Sequence, residues 1–373
     1  MAADRGPNFT ARPTLKINLK AVKANYKALQ KRVTERVKVA ASVKADAYGL
    51  GATKVSRALY GAGCRNFFVA TPGEGKDVRA AVGDNASIYV LNGPAPRDLS
   101  LYFGARLKPV INSLVQAHIW ADATKGVKSA PFSAIHIDTG MNRLGFPLDE
   151  FEKFSQNRLL RDAVGFDHVL SHLACAPDKD HSLNGEQLIR FKKAAAKLPV
   201  KPMSLANSAG IYLGRKYHFQ MVRPGISLYG GAATNDPEQE VTQPVVSLMA
   251  PVLQVKQISQ GESLGYNATF KAPKDMSIAI VGSGYADGIP VAASGTGKTQ
   301  NHNAAYQGKL LQIIGRVSMD LTILDTSSLR KPPRIGEWVE FRGEQLEADA
   351  EQLGTINYEL LTSLSKRAQR IYE

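Results

Sequence analysis

Five short stretches of this chain carry residue types that could do chemistry together. Lys44 lies in Ala41-Ser42-Val43-Lys44-Ala45-Asp46-Ala47-Tyr48-Gly49-Leu50-Gly51, and Arg143 lies in Asp138-Thr139-Gly140-Met141-Asn142-Arg143-Leu144-Gly145. His172 follows Ser171, and the remaining two stretches are Asn207-Ser208 and Arg223-Pro224-Gly225-Ile226. An amine, two guanidinium groups, an imidazole, a hydroxyl and a glycine turn suit an anionic ligand held near a reactive lysine. Each has a plainer account when taken alone. Lys44 reads as a surface lysine, Arg143 as half of a turn ion pair, His172 as a satisfied imidazole and Gly225 as a turn glycine.

The elements that carry these residues change the odds. Val37, Val39, Ala41 and Val43 fall on one side of a strand and Lys38, Ala40, Ser42 and Lys44 on the other. Lys44 thus ends a strand, on the face with the smaller residues, and a helical pattern resumes near Ala52. Further strands are expected at Asn66–Ala70, Ser87–Leu91, Leu107–Ile111, Ala134–Asp138, Phe166–Ser171, Met203–Ala206 and Phe219–Arg223. Helical stretches separate most of them, near 53–62, 74–82, 97–103, 113–124, 148–157, 185–197 and 208–214. Eight strands alternating with helices predict an α/β fold, a (β/α)8 TIM-type barrel, ahead of a doubly wound open sheet. Lys44 then ends the first strand, Arg143 follows the fifth, His172 ends the sixth, Asn207-Ser208 the seventh and Arg223 the eighth. All five fall on the carboxyl face, where such barrels keep their chemistry.

The loops after the last two strands form the usual phosphate site of such a barrel, and Ser208, Gly225 and Ile226 suit it. A lysine facing a phosphate site suggests a Schiff base to a phosphorylated aldehyde, of which pyridoxal phosphate is the common one.

The pattern changes near Gly230. Ala232-Ala233-Thr234-Asn235-Asp236-Pro237 reads as a linker, after which strands are expected at Val245–Ile258, Ser277–Val281, Leu310–Ile314, Leu321–Asp325 and Glu337–Arg342. Residues 285–308 read as an exposed loop, and only Tyr358–Arg370 looks helical. The expected division is a flexible leader over 1–12, a cofactor-binding barrel over 13–240 and a β-rich domain over 241–373. Before the second domain, Leu15-Lys16-Ile17-Asn18-Leu19 reads as an alternating strand followed by a helix with Val22, Tyr26, Leu29 and Val33 at helical spacing.

Composition narrows the classes. The chain has 373 residues, 44% of them hydrophobic, and no apolar run long enough to span a bilayer. Its polar first dozen residues lack the apolar stretch of a signal peptide. Cys64 and Cys175 match no disulfide framework or metal spacing, which suits a reducing cytoplasm. The net charge of +14 is spread along helices, as in Lys27, Lys31, Lys192, Lys193 and Lys197, with no nucleic-acid module. Four motif-like stretches fail on spacing or context. Gly295-Thr296-Gly297-Lys298-Thr299 has Ala at position 292 where a phosphate loop needs Gly, and Gly282-Ser283-Gly284 with Gly288 is no dinucleotide fingerprint. His168 and His172 lie in a strand without a helical glutamate, and Ser171-His172 is no nucleophile elbow.

Taken together, these stretches resemble the alanine racemase family of fold-type III pyridoxal-phosphate enzymes. Val43 to Gly51 is similar to that family's cofactor-attachment motif. Further matches are Asp138-Thr139-Gly140-Met141, Ser171-His172-Leu173-Ala174-Cys175-Ala176, Leu205-Ala206-Asn207-Ser208-Ala209 and Val222-Arg223-Pro224-Gly225-Ile226. Beyond the linker come Ser263-Leu264-Gly265-Tyr266, Gly284-Tyr285-Ala286-Asp287-Gly288, Arg316-Val317-Ser318-Met319-Asp320 and Asn357-Tyr358-Glu359.

The resemblance implies roles. Lys44 would hold pyridoxal 5'-phosphate and act as base on one face of the substrate Cα, with Tyr266 of a second subunit as base on the other. A tyrosine ordinarily titrates near ~10, so such a base needs positive charge nearby, and His172 with Arg223 behind it is the implied source. Arg223 would face the pyridine nitrogen and, keeping its own proton, leave that nitrogen unprotonated. Tyr48, Asn207, Ser208, Gly225, Ile226 and Tyr358 would complete the cofactor site. Arg143 and the Met319 N–H would hold the substrate carboxylate, and Tyr285 would narrow the entrance.

The implied protein is a cytoplasmic homodimer with shared active sites, acting on a small amino acid and supplying D-alanine for the bacterial wall, with neither nucleic acid nor membrane as partner. A racemase for serine or a bulkier amino acid, a decarboxylase of the same fold type and a simple cofactor carrier are the rivals. One position departs from the family. Seven residues before Arg143, many relatives have a carbamylated lysine, whereas here stands His136, which cannot form that carbamate. Either His136 reaches Arg143 through an anion such as chloride, or another acceptor orients the arginine.

Overall fold

The computed structural model describes residues 10–199, 201–236, 242–295 and 302–373. Most of the expected leader, the end of the linker at Pro237 and most of the Gly295-to-Thr299 stretch lie outside the described residues. The chain forms two compact units, Lys20–Gln243 and Met1–Leu19 with Pro244–Glu373.

In the first unit, seven parallel strands run in sequence order: Ala41–Ser42, Asn66–Val69, Ser87–Val90, Lys108–Ile111, Ser133–His136, Phe166–Leu170 and Met203–Ser204. Met221–Val222 pairs in parallel with Lys38–Val39, the first half of the opening strand. It is tied to the seventh strand by Gln220 N–H to Met203 O at 3.1 Å and Arg223 N–H to Ala206 O at 2.9 Å. The ring therefore closes as an eight-stave barrel. Ala40, Phe68, Tyr89, Val110, Ala134, Leu170 and Met221 pack as one cluster inside it. Ala40 shares its face with Lys38, Ser42 and Lys44, so Lys44 leaves the strand on the interior side, at the mouth.

Helices at Ala52–Gly61, Pro72–Val82, Leu114–Thr124, Leu148–Gln156, Ser182–Ala195 and Ser208–Tyr212 fall close to the expected places. A further helix, Arg158–Val164, was not expected. Asn157 breaks the preceding helix and starts this one, its side chain accepting Leu160 N–H at 3.0 Å.

The strand Thr14–Ile17, which the expected 13–240 range placed in the barrel domain, lies in the second unit. It pairs antiparallel with Val246–Ile258 and parallel with Gln369–Tyr372, in the second unit. Alternation identifies a strand but not its neighbours, and the barrel closes without this one. In the second unit, Val246–Ile258 pairs with Trp338–Arg342 along its first half and with Met276–Val281 along its second. A register shift between Val252 and Gln254 lets one long strand serve both.

Two more expectations in this unit are corrected. The stretch 285–308 is not simply a loop, because Asn303–Tyr306 pairs with Lys309–Gln312. The helix expected over Tyr358–Arg370 covers only Asn357–Thr362, and Gln369–Tyr372 is a strand because Thr14–Ile17 offers it a free edge. The helix Leu346–Gln352 was also not expected. Among the described residues no helix is long and apolar enough to cross a membrane, and no group of three or more His, Cys, Asp or Glu could hold a metal.

Candidate active site

Lys44 opens a turn of unusual handedness. Ala45, Asp46, Ala47 and Tyr48 have φ of 52, 55, 53 and 58°, a left-handed helical turn without a glycine. Left-handed backbone costs L-residues roughly 1–2 kcal/mol each, so this turn stores about 4–8 kcal/mol that its surroundings must offset. Ala47 N–H reaches Val43 O at 2.9 Å and Gly49 N–H reaches Ala45 O at 2.8 Å. Asp46 accepts Ala52 N–H on its Oδ1 at 2.8 Å, and Ala45 N–H donates to Glu74 Oε1 at 2.7 Å. Gly49 and Gly51, at φ 82 and 94°, carry the chain out of the turn. Lys44 is half-buried. Desolvation lowers its pKa from the ordinary lysine value and the nearby Arg143 adds to this, while Glu74 opposes both.

Tyr48, the last residue of the turn, lies against the expected anion cradle. A Cβ built on Gly225 would come 2.2 Å from Tyr48 Oη, so only glycine fits here. Ser208 Oγ accepts Gly225 N–H at 2.9 Å and Ser227 N–H at 3.4 Å. Ile226 begins a short 3-10 turn directly after Gly225. Tyr229 lies with its ring centroid 4.7 Å from that of Tyr48 at a 35° tilt and donates its hydroxyl to Ser42 O at 2.8 Å. The Tyr48 and Ser208 hydroxyls and the Gly225 and Ile226 backbone thus converge where side-chain bulk is excluded, which fits the phosphate of a cofactor.

A cationic corner adjoins the lysine. Arg223 is buried, donates to Ser204 Oγ and to Ser171 O, and lies 5.7 Å from the Phe68 ring centroid. Desolvation lowers its pKa to about 10, so it stays charged at neutral pH. His172 is pushed well below the ordinary imidazole pKa, first by desolvation and then by Arg223, Arg143, His136 and Lys44. His172 is therefore neutral, and the positive charge the sequence reading shared between His172 and Arg223 resides on Arg223. Asn207 accepts Gly210 N–H on Oδ1 at 2.9 Å, which turns its Nδ2 toward His172 Nε2 at 3.4 Å. His172 Nε2 is then an acceptor, and Nδ1 carries the hydrogen.

Arg143 projects from a tightly held loop. Asp138 Oδ1 accepts the N–H groups of Gly140, Met141 and Asn142 at 2.9, 2.9 and 3.2 Å. Phe146 N–H to His136 O at 2.8 Å and Asp138 N–H to Phe146 O at 2.9 Å close its base. His136 is buried beneath it, with a pKa lowered to about 3 chiefly by desolvation and then by Arg223 and Arg143. Asn112 Nδ2 donates to Leu91 O, Val110 O and Gln116 Oε1, so its Oδ1 is the acceptor facing His136 Nδ1 at 2.8 Å. The ring in this place is thus neutral, with Nε2 unprotonated.

Tyr266, Tyr285, Met319 and Tyr358 lie in the second unit. Tyr266 sits in the turn of the small hairpin Ser263–Leu264 with Phe270–Lys271 and is 68% exposed. Tyr285 N–H donates to Ser318 O and Ala286 N–H to Met319 O, each at 3.0 Å, which brings the Tyr285 and Met319 segments together. Buried Asp287 accepts Gly284 N–H at 2.9 Å and a two-pronged contact from Arg367 at 2.6 and 2.8 Å. Tyr358 lies in the helix Asn357–Thr362, held by Asn357 Nδ2 on Glu347 Oε1 and Oε2 at 2.9 and 2.8 Å. Glu74, Asn112 and Arg367 belong to none of the stretches whose residue types point to chemistry. Only Glu74 left a readable signal, the Thr71-Pro72-Gly73-Glu74 helix start.

A parallel barrel with a lysine, an arginine and an anion cradle at its carboxyl face defines a cofactor-dependent barrel enzyme. Residues 17–233 match the family described as alanine racemase, N-terminal domain, and 245–372 the alanine racemase, C-terminal domain. The alanine racemase of Acidiphilium cryptum is 42% identical over 363 residues, 96% of this chain and 98% of that protein. The catabolic alanine racemase of Agrobacterium fabrum is 41% identical over 361 residues, 96% of this chain and 91% of that protein. The structure of alanine racemase from Bartonella henselae, with covalently bound pyridoxal phosphate, superposes with a TM-score of 0.91 at 37% identity, covering 98% of this chain and 100% of that one. The biosynthetic alanine racemase of Pseudomonas aeruginosa superposes with a TM-score of 0.87 at 32% identity, covering 98% and 100%. This chain belongs to the alanine racemase family, and is an enzyme of its pyridoxal-phosphate-dependent racemase class.

Proposed function

We propose that this chain interconverts L-alanine and D-alanine by a two-base mechanism, as a cytoplasmic homodimer that supplies D-alanine for the bacterial wall. One observation carries the reading. Lys44 and Tyr48 are the two ends of a single left-handed turn, and Tyr48 stands over Gly225, so the lysine and the anion cradle are fixed relative to each other.

Pyridoxal phosphate, when bound, supplies an electron sink that makes the substrate Cα proton acidic. Lys44 would hold it, and Tyr48, Ser208, Gly225, Ile226 and Tyr358 would bind its phosphate. Arg223 keeps its proton at neutral pH and would face the cofactor's pyridine nitrogen, and Asn207 contacts His172. Arg143 and the Met319 N–H orient the substrate carboxylate, and Tyr285 restricts entry. Burial and Arg143 press the Lys44 amine toward its neutral form, the form that can take a proton from one face of Cα. Tyr266 of a second copy returns a proton on the other face, and its exposure in the single chain leaves it available for that. The charge that favours its base form comes from Arg223 through the neutral His172.

A chiral assay tests this. L-Alanine should yield D-alanine without added keto acid, Lys44→Ala should abolish turnover, and serine and lysine should be poorer substrates. Undiminished turnover by Tyr266→Phe in both directions would overturn the two-base assignment.

A further inference from the structure

Glu74 caps the helix Pro72–Val82 through a reciprocal pair with Thr71, but its capping contacts are its long ones. Glu74 N–H to Thr71 Oγ1 is 3.4 Å and Thr71 N–H to Glu74 Oε2 is 3.3 Å. The short contacts leave the helix. Oε2 accepts Ala70 N–H at 2.7 Å, at the end of the second barrel strand, and Oε1 accepts Ala45 N–H at 2.7 Å. Ala45 N–H belongs to the peptide that joins it to Lys44. One carboxylate therefore ties the peptide leaving Lys44, the first residue of the strained turn, to the end of the neighbouring strand. A helix cap alone needs neither contact.

We propose that Glu74 is a positioning residue for Lys44, holding the left-handed turn that aims the lysine at the cofactor. The inference rests on Lys44 as the cofactor residue. A charge-assisted bond to Ala45 N–H selects the positive-φ orientation of that peptide, which alanine does not favour by itself. Glutamine at position 74 cannot replace the carboxylate. It has a single acceptor oxygen, so either Ala45 N–H or Ala70 N–H would face an amide donor.

The test uses the full-length apoprotein and three variants. Amide hydrogen exchange at Ala47, Gly49 and Gly51 is measured first, followed by retention of added pyridoxal phosphate by absorbance. Glu74→Gln should quicken exchange and weaken retention, each ~10-fold or more, in line with loss of a charged hydrogen bond. Glu74→Gln with Ala45→Gly should recover most of both, because glycine adopts the turn without the steric penalty. Thr71→Ala removes the helix cap but not the contact with Ala45, and should leave both readouts near wild type. If Glu74→Gln does not fold, Glu74→Asp, one methylene too short to span both N–H groups, carries the same expectation. The proposal is overturned if Thr71→Ala matches Glu74→Gln, if Ala45→Gly brings no recovery, or if exchange quickens while retention holds. A wild-type chain that does not retain pyridoxal phosphate would instead strike the parent reading of Lys44.

Discussion

Asn112 Oδ1 accepts the Nδ1 hydrogen of His136 at 2.8 Å, and this bond decides which nitrogen of the ring is left as a lone pair. His136 stands where the family resemblance leads one to expect a carbamylated lysine, and it is neutral. Turnover is therefore expected not to respond to added bicarbonate, and intact-mass measurement should find no carbamate. Either a bicarbonate requirement or an adduct at residue 136 would contradict this. Asn112→Leu should cost roughly 1–3 kcal/mol in urea unfolding, by leaving the His136 Nδ1–H buried without an acceptor.

Two buried imidazoles should make stability depend on pH. His136 and His168 both have pKa values lowered to about 3, mainly by desolvation, and His168 Nε2 is buried without a hydrogen-bond partner. The unfolded rings titrate near ~6.5, so between the two values the unfolded chain binds more protons and stability rises with pH. Their contribution is complete above the unfolded value and is lost as pH falls toward the folded one. From pH 7 to pH 5 each ring should remove about 2 kcal/mol of unfolding free energy. In His168→Leu the loss over that window should be smaller by that amount, and an unchanged slope would refute the assignment.

Gly225→Ala probes the anion cradle. The added methyl would lie 2.2 Å from Tyr48 Oη, on a ring that packs against Tyr229 and cannot simply swing away. Overpacking of this kind costs roughly 1–3 kcal/mol, so retention of pyridoxal phosphate should weaken by about 10- to 100-fold. Equilibrium dialysis measures it. Unchanged retention would mean that the phosphate does not sit at Gly225.

Arg367→Leu tests whether the Tyr285 and Met319 segments need their shared anchor. Arg367 grips buried Asp287 and also reaches Asp320 at 2.8 Å, beside Met319. Its loss leaves the Asp287 carboxylate buried with Gly284 N–H as its remaining side-chain contact, and should cost roughly 1–3 kcal/mol of stability. KM for alanine should rise more than kcat falls if, as proposed, the Met319 segment binds the substrate carboxylate and neither segment transfers its proton. A fall in kcat alone would contradict that role.

Much of the barrel site was legible because it depends on local chemistry at strand ends. Lys44, Arg143, His172, Ser208 and Arg223 each follow a strand recognisable by alternation or apolar content, and a parallel barrel brings all such ends to one face. Tyr266, Tyr285, Met319 and Tyr358 could be named only by resemblance, because no periodicity relates a hairpin turn in the second unit to a lysine in the first. The placement of Thr14–Ile17 was misjudged for a related reason. Alternation records that Leu15 and Ile17 are buried, not which sheet buries them.

By itself the sequence determined the order of the barrel strands, the side of the strand on which Lys44 emerges and the residue types at the barrel mouth. Only the tertiary structure decided the handedness of the Lys44 turn, the charge state of His172 and the tautomer of His136. Ala45, Ala47 and Tyr48 have no local preference for positive φ, so the turn exists because Glu74 and Gly225 hold it from elsewhere in the chain, while Asp46 within it ties it to Ala52. The imidazoles are neutral because folding removes their water and places Arg223 and Arg143 beside them. Both effects arise from groups distant in sequence, which no local pattern can report.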